Sequence, residues 1–210
     1  MRGLDDLVRQ GKVLYLGTSD EPAWVVSYSN ALAELRGWTQ FTALQVEYSL
    51  IERTPERDLL PMAEYLGLGV TAWSPLASGV LTGKYNKDAN HQGPKRLDAA
   101  TFAQVNDRGL AIAAKVKEIA DGTGHSPAQI ALAWVRQRGA IPIIGARKFS
   151  QFEDNLRSLE VILSTEQLAQ LDAASKIDLG FPHEFLRREF VHNYLHGGLW
   201  DRLEKPSYAG

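Results

Sequence analysis

The sequence contains no cysteine, and this absence excludes several kinds of site at once. Disulfide frameworks, zinc sites built on thiolates and cysteine nucleophiles all require this residue. No apolar run approaches the roughly 20 residues of a membrane-spanning helix, and the segment Met1-Arg2-Gly3-Leu4-Asp5-Asp6 is unlike a signal peptide. We therefore expect a soluble, cytoplasmic chain with no membrane partner.

Acidic and basic residues are nearly balanced in number. The 210 residues include 23 Lys and Arg against 25 Asp and Glu, a formal net charge of −2. Nucleic acids and anionic membrane surfaces are bound through a basic field that this balance does not supply, so we predict no nucleic-acid partner. Hydrophobic residues make up 44% of the chain, enough for one domain with a sizeable core.

Strand-like and helix-like segments alternate along the chain. The strands are predicted at residues 12–17, 39–47, 69–73 and 140–144, and the helices at 3–10, 22–36, 54–66, 101–121, 127–138, from Ser150 onward and after a Ser164 cap. In the second helix, Trp24, Tyr28, Leu32 and Leu35 form the predicted apolar stripe. This alternation is typical of a parallel α/β sheet with right-handed crossovers. The four predicted strands are half the number in a (β/α)₈ barrel.

Residues 141–155 combine the last predicted strand, a basic loop and the start of a helix. Gly145 is expected to allow a sharp turn at the strand end, and Ser150 with Glu153 forms a predicted capping box. The amino terminus of that helix would direct free N–H groups and the positive end of its dipole at the space above the strand. The pattern therefore predicts a phosphate site.

Polar side chains surround this predicted phosphate site. Arg147 and Lys148 lie in the loop, and Gln151 and Asn155 are one helical turn apart, so both can reach one ligand. The same residues are compatible with a solvated loop tip, because such basic loops are common in α/β proteins. Position favours phosphate, since barrels of this kind frequently bind it after their last strands.

Two segments have no regular pattern. Residues 74–100 form a long irregular stretch, and a loop of this length in a compact domain is usually functional or mobile. Residues 177–210 form an aromatic, Gly-rich tail. His192 and His196 are four residues apart in the tail, but no third ligand stands at a telling spacing, so we predict no metal site.

Five ordered segments resemble the aldo-keto reductases, most closely the general bacterial type and the potassium-channel β-subunits. They are residues 11–19, 45–50, 72–85, 126–129 and 141–155. The resemblance covers only the second half of the family's barrel, strands five to eight. It implies a parallel (β/α) barrel of TIM type represented by its last four βα units in residues 1–176, with residues 177–210 packing on or capping it.

The resemblance implies an NADP(H)-dependent reduction of aldehydes or ketones. The catalytic Asp, Tyr, Lys and His of the family belong to the first half of the barrel, and no residue of this chain matches those positions. We therefore expect a cofactor-binding half without catalytic residues, acting on a small carbonyl substrate only in a complete protein.

The expected cofactor contacts also follow from the resemblance. They are Ser19 and Gln45 for the nicotinamide carboxamide, Trp73 for stacking on the nicotinamide ring, Ser74, Pro75, Leu76, Ala77, Ser78 and Gly79 for the pyrophosphate, Lys84 and Arg96 as phosphate cations, Gly145 and Arg147 for the 2′-phosphate, and Gln151, Asp154 and Asn155 for the ribose and adenine. A bidentate guanidinium at the 2′-phosphate would favour NADP over NAD. Asp20 stands where many members have Asn or Arg.

Other interpretations remain open. The chain could be a non-catalytic NADP-binding or interaction module like the channel β-subunits, or a truncated fragment without activity. Another phosphate-binding barrel enzyme, such as an aldolase, is disfavoured because no lysine for a Schiff base sits centrally in a strand. Residues 79–84 are one residue too short for a P-loop, and Tyr85 replaces its Ser or Thr.

Four parallel strands would leave two unpaired edges and half of a barrel interior facing water. Such a surface is unfavourable for a stable monomer. We therefore expect a homodimer that pairs these edges, a loose aggregate, or association with the missing N-terminal half.

Overall fold

Four parallel strands form one sheet in the computed structural model, which describes residues 1–83 and 106–204. The strands, in their order across the sheet, are β1 (Leu16–Ser19), β2 (Phe41–Glu47), β3 (Gly69–Trp73) and β4 (Ala140–Pro142). All three pairings are parallel. The predicted parallel α/β fold is thus confirmed, and the sequential strand order is the one that consecutive βα units of a barrel would have.

Helices follow the strands and cover one face of the sheet. They are α1 (Arg2–Arg9), α2 (Ala23–Arg36), α3 (Leu59–Tyr65), α4 (Asp107–Thr123), α5 (Pro127–Gln137), α6 (Phe149–Arg157), α7 (Thr165–Ser175), α8 (His183–Leu186) and α9 (Glu189–His196), with 3₁₀ turns at Thr54–Glu56, Ala77–Thr82, Ser158–Glu160 and Trp200–Arg202. The capping boxes of Ser126 with Gln129 and of Ser164 with Gln167 are both formed. None of the helices in the two described ranges is long and apolar enough to cross a membrane.

The hydrophobic core lies on one face of the sheet only. Strand side chains alternate between faces, and Leu44, Val46 and Ala72 are buried on the helix-covered face. Gln45, which lies between Leu44 and Val46 in the chain, is exposed on the opposite face. Ile141 of β4 is 65% exposed on that same face. That second face corresponds to a barrel interior and has no cover within the described residues.

Two predicted element starts are wrong. The first strand begins at Leu16 rather than Lys12, because its partner strand begins at Phe41 and offers nothing for residues 12–15 to pair with. Tyr15 is consequently 77% exposed. Helix α6 begins at Phe149 with Lys148 as its N-cap, so Ser150 lies inside the first turn and cannot cap it.

The apolar stripe of α2 is also different from the predicted one. Trp24, Tyr28 and Leu35 are all exposed, and the helix buries Ala23, Val26, Asn30 and Ala33 instead. Small side chains allow the helix to approach the sheet closely, whereas the large ones face outward.

An ion-pair network centred on Arg53 joins the segment after β2 to α7. The buried guanidinium donates from Nε to Glu56 Oε1 at 2.7 Å and from Nη1 to Ser175 Oγ at 2.8 Å. It also lies 5.2 Å from the centre of the Trp134 ring. Tyr48 packs on that ring and donates its hydroxyl to Glu56 at 2.8 Å. The network therefore fixes the end of β2 against the helical layer.

Removing Arg53 should destabilise the fold strongly. We expect Arg53→Ala to lower the free energy of unfolding by about 3 kcal/mol, since it strands the carboxylate of Glu56 in a half-buried position. The exposed pair of Lys117 with Asp121 provides a matched control, and Lys117→Ala should cost no more than about 0.5 kcal/mol. Urea denaturation measures both, and equal losses would contradict the role given to Arg53.

Candidate functional site

Three of the predicted cofactor residues meet at the carboxyl edge of the sheet. Ser19 is paired in register with Gln45, and Trp73 with Glu47. Because parallel strands end at the same edge, Ser19, Gln45 and Trp73 stand on three adjacent strands within one or two residues of the edge. Gln45 is exposed there, and its amide offers both a donor and an acceptor.

Asp20 organises this edge, a role that sequence analysis did not assign to it. Its backbone is left-handed, with φ of 56°. One carboxylate oxygen accepts a hydrogen bond from Trp73 Nε1 at 3.0 Å, and the other accepts one from Ser19 Oγ at 3.1 Å. The indole of Trp73 therefore extends from β3 to the end of β1 and is held there by Asp20.

Glu47, at the end of β2, is the register partner of Trp73. Burial raises the pKa of the Glu47 carboxyl, and the negative charges of Glu52 and Asp20 raise it further. The ionised form of Glu47 is thus costly in the folded protein. A positive charge placed at this edge would relieve that cost.

The loop after β3 is conformationally strained. Ser74, Ala77 and Ser78 all have positive φ, at 52°, 47° and 54°. A non-glycine residue in this region costs on the order of 1–3 kcal/mol and persists only where its surroundings enforce it. Burial of Ala77, Val80 and Leu81 provides that constraint. Such strain is concentrated at functional sites, which supports a ligand-binding role for the predicted pyrophosphate loop.

The remaining residues of this predicted loop are ordered around the same turn. Pro75 is buried, Leu76 is partly buried, and Gly79 has a φ of 95° that glycine adopts without strain. Lys84 and Arg96, predicted as phosphate cations, lie outside the described residues.

The predicted phosphate site after β4 has a different helix start from the expected one. Gln151 Oε1 accepts a hydrogen bond from the backbone N–H of Arg147 at 3.0 Å, so Gln151 closes the turn that Ser150 was expected to cap. The first amides of an α-helix have no partner within it, and in α6 they follow the exposed side chains of Arg147 and Lys148. Anion binding at this helix end remains a prediction.

Gly145 has no left-handed backbone, so the sharp turn predicted at this residue would not depend on a positive φ. A Cβ atom at this position would meet nothing within 4 Å. The space above it is therefore open, and the backbone could be approached closely by a ligand.

Asp154 and Asn155 are held by the protein itself. Asp154 accepts hydrogen bonds from Ser126 Oγ at 2.8 Å and Gln129 Nε2 at 2.7 Å, which ties α6 to the capping box of α5. Asn155 is buried, at 5% exposure. Contacts of these two residues with a ribose or adenine remain predictions, and both carboxylate oxygens of Asp154 already have partners.

No metal centre is found where the structure describes the chain: residues 1–83 and 106–204 contain no group of three His, Asp or Glu side chains suited to an ion. His192 and His196 instead contact Trp200, with ring centres 3.8 Å and 5.1 Å away.

Comparison with known proteins decides the family. Residues 1–176 match the aldo/keto reductase family. The chain belongs to this family. The resemblance seen in the sequence segments is thereby confirmed, and family members related to this chain are oxidoreductases.

Fungal reductases and dehydrogenases are among the relatives. The chain is 34% identical over 198 residues to norsolorinic acid reductase A of Aspergillus parasiticus, covering 92% of this chain and 48% of that protein. It is 33% identical over 208 residues to the aryl-alcohol dehydrogenase (NADP(+)) of Phanerodontia chrysosporium, covering 93% of this chain and 52% of the relative. The chain spans about half the length of these relatives.

The raised pKa of Glu47 predicts a pH-dependent effect on stability. A carboxyl whose folded-state pKa is raised destabilises the fold once it ionises, and this cost disappears as the pH falls toward the ordinary value of 4.5. We therefore expect Glu47→Gln to raise the melting temperature near neutral pH, with the gain shrinking in acid. Glu166→Gln on the exposed start of α7 is the control. Thermal melts across pH test this, and a gain independent of pH would contradict it.

Proposed function

We propose that this chain is the cofactor-binding half of an NADP(H)-dependent aldo-keto reductase that converts aldehydes or ketones to alcohols. The observation that carries the proposal is the convergence of Ser19, Gln45 and Trp73 at one sheet edge in a chain of this family. The name of the aryl-alcohol dehydrogenase relative supports aryl alcohols and the corresponding aldehydes as the substrate class. The proposed location is the cytoplasm.

The arrangement of the site is compatible with a dinucleotide. The exposed amide of Gln45 can pair with the carboxamide, and the half-buried indole of Trp73 offers a flat face to the nicotinamide ring. The strained loop from Ser74 offers backbone groups to a pyrophosphate, and Arg147 offers a guanidinium to the 2′-phosphate. Bound in this way, the cofactor would supply the hydride for carbonyl reduction.

The reaction also needs a proton donor, and the described tyrosines do not suit that role. Tyr28, Tyr65 and Tyr194 lie on helices α2, α3 and α9 rather than at the carboxyl edge of the sheet. Tyr15 precedes β1 and is exposed, away from the row of site residues. Tyr48 is buried, and its hydroxyl donates to Glu56. Burial, followed by the nearby charge of Glu56, raises the pKa of Tyr48 far above its usual range. We therefore propose that the acid is supplied by the first half of the barrel, as the family resemblance implies.

The open face of the sheet supports a partner for this chain. Ile141 and Ile143 are both exposed on it, at 65% and 42%. We propose that this face is covered either by a second copy or by an N-terminal half of the barrel.

Cofactor choice tests the role of Arg147. We expect the chain to bind NADP(H) more tightly than NAD(H), and Arg147→Ala to narrow the difference by about 1–3 kcal/mol, the scale of a hydrogen bond to a charged group. Arg157→Ala removes an exposed arginine from the far end of the same helix and should leave the preference unchanged. Calorimetric titration with both nucleotides measures this, and equal affinities in the unmutated chain would count against the assignment.

The 210-residue chain alone should not reduce carbonyls even when it binds NADPH. General acid catalysis contributes typically 10²–10⁴-fold, and the described site has no tyrosine placed to provide it. The assay follows the loss of NADPH absorbance with 4-nitrobenzaldehyde, using protein free of host reductases. Turnover that disappears in Tyr15→Phe, Tyr48→Phe or Tyr85→Phe, the last of which lies outside the described residues, would show that the chain carries its own acid.

The alternative is a non-catalytic NADP-binding or interaction module, favoured by the same lack of a suitable tyrosine. The reductase needs an N-terminal half that supplies the catalytic acid, whereas the binding module has no turnover with or without such a half. Carbonyl reduction restored by adding the N-terminal half of a related enzyme supports the reductase, whereas NADP binding without restored turnover supports the module.

A further inference from the structure

Two carboxylates stand against the indole of Trp73. Asp20 Oδ1 is 3.0 Å from the indole nitrogen, and Glu47 is the register partner of Trp73 on the neighbouring strand. Since register partners point to the same face of a sheet, the Glu47 side chain lies next to the base of the indole. The ring is thus bordered by acidic groups from both β1 and β2.

The charges of these carboxylates are not neutralised by the described residues. The two partners of Asp20 are a hydroxyl and an indole N–H, both uncharged. No Lys or Arg in residues 1–83 or 106–204 forms an ion pair with Asp20 or Glu47. Among the described residues, the charges at this edge are therefore negative and favour a cation.

The indole of Trp73 also favours a cation. The face of a tryptophan ring attracts a positive charge through its quadrupole, more strongly than other aromatic rings do. A nicotinamide ring is positively charged when oxidised and neutral when reduced. A ring stacked on Trp73 would therefore interact with the indole and with both carboxylates more favourably in its oxidised form.

We propose that Asp20 and Glu47 make this site bind the oxidised dinucleotide more tightly than the reduced one. The inference rests on the proposed cofactor site and adds a selectivity between the two redox states. By linkage, tighter binding of the oxidised form makes the bound reduced form a stronger hydride donor, by about 30 mV for each tenfold ratio of affinities. The same selectivity makes the oxidised form a strong product inhibitor.

Asp20→Asn and Glu47→Gln isolate the charges with little change in shape. The amide oxygen that Asp20→Asn introduces can still accept from Trp73 Nε1, so the indole should keep its position. Glu166→Gln removes a charge of the same type from the exposed start of α7 and serves as the control. Circular dichroism and thermal melts first establish that each variant is folded.

The experiment measures the dissociation constants of NADP⁺ and NADPH for each variant by calorimetry at low salt. In the unmutated chain NADP⁺ should bind more tightly, and the double variant should reduce the affinity ratio about tenfold, the effect of two charges a few ångströms away in a partly aqueous site. Each single variant should have a smaller effect, and Glu166→Gln none. Raising the salt concentration should shrink the ratio in the unmutated chain but not in the double variant.

The outcomes separate the two proposals. If both nucleotides bind and the ratio is the same in the unmutated chain and in the variants, the redox selectivity is refuted while the cofactor site stands. If neither nucleotide binds the folded, unmutated chain, the proposed cofactor site fails and the selectivity fails with it. If only Asp20→Asn changes the ratio of the NADP⁺ and NADPH affinities, the selectivity is due to Asp20 and Glu47 makes no contribution to it.

Discussion

The alternation of side chains along parallel strands is the constraint on which the site depends. Leu44 and Val46 of β2 point into the core, so Gln45 and Glu47 must point to the other face. A shift of one residue in the pairing would bury two polar side chains and expose two apolar ones. The one-sided core therefore selects a single register, and that register brings the edge residues of three strands together.

The Arg53 network fixes this edge of the sheet from the face that the helices cover. Glu56 receives hydrogen bonds from both Arg53 and Tyr48, and Arg53 reaches across to Ser175 on α7. These contacts join segments that are 122 residues apart in the chain, at the point where β2 leaves the sheet. The position of the proposed cofactor site thus depends on a polar cluster on the opposite face of the sheet.

Patterns of short range in the sequence were sufficient for the main architecture. The alternation of strands and helices predicted the parallel sheet. The capping boxes of Ser126 with Gln129 and of Ser164 with Gln167 are four-residue motifs in the sequence, and both form in the structure. The residues Ser19, Gln45 and Trp73 could be named from family motifs, and the parallel pairing explains why they meet.

Contacts between distant segments set the limits of sequence reasoning. The start of β1 depends on where β2 begins, 25 residues further along the chain. Asp154 is engaged by a serine 28 residues away, and Asp20 by an indole 53 residues away. No local pattern encodes these partners. An acidic residue directly after a strand at the ligand edge was the one available signal for Asp20.

The open sheet has two edges that differ in kind, β1 on one side and β4 on the other. Parallel pairing between copies could therefore join only unlike edges, which makes the contact heterologous. After one such pairing, the two copies still have one free β1 edge and one free β4 edge. If the curvature of the sheets brings these two edges together, assembly stops at two copies, which form a closed barrel of eight strands. If it does not, every added copy presents a new free edge, and the same surface drives the growth of a filament.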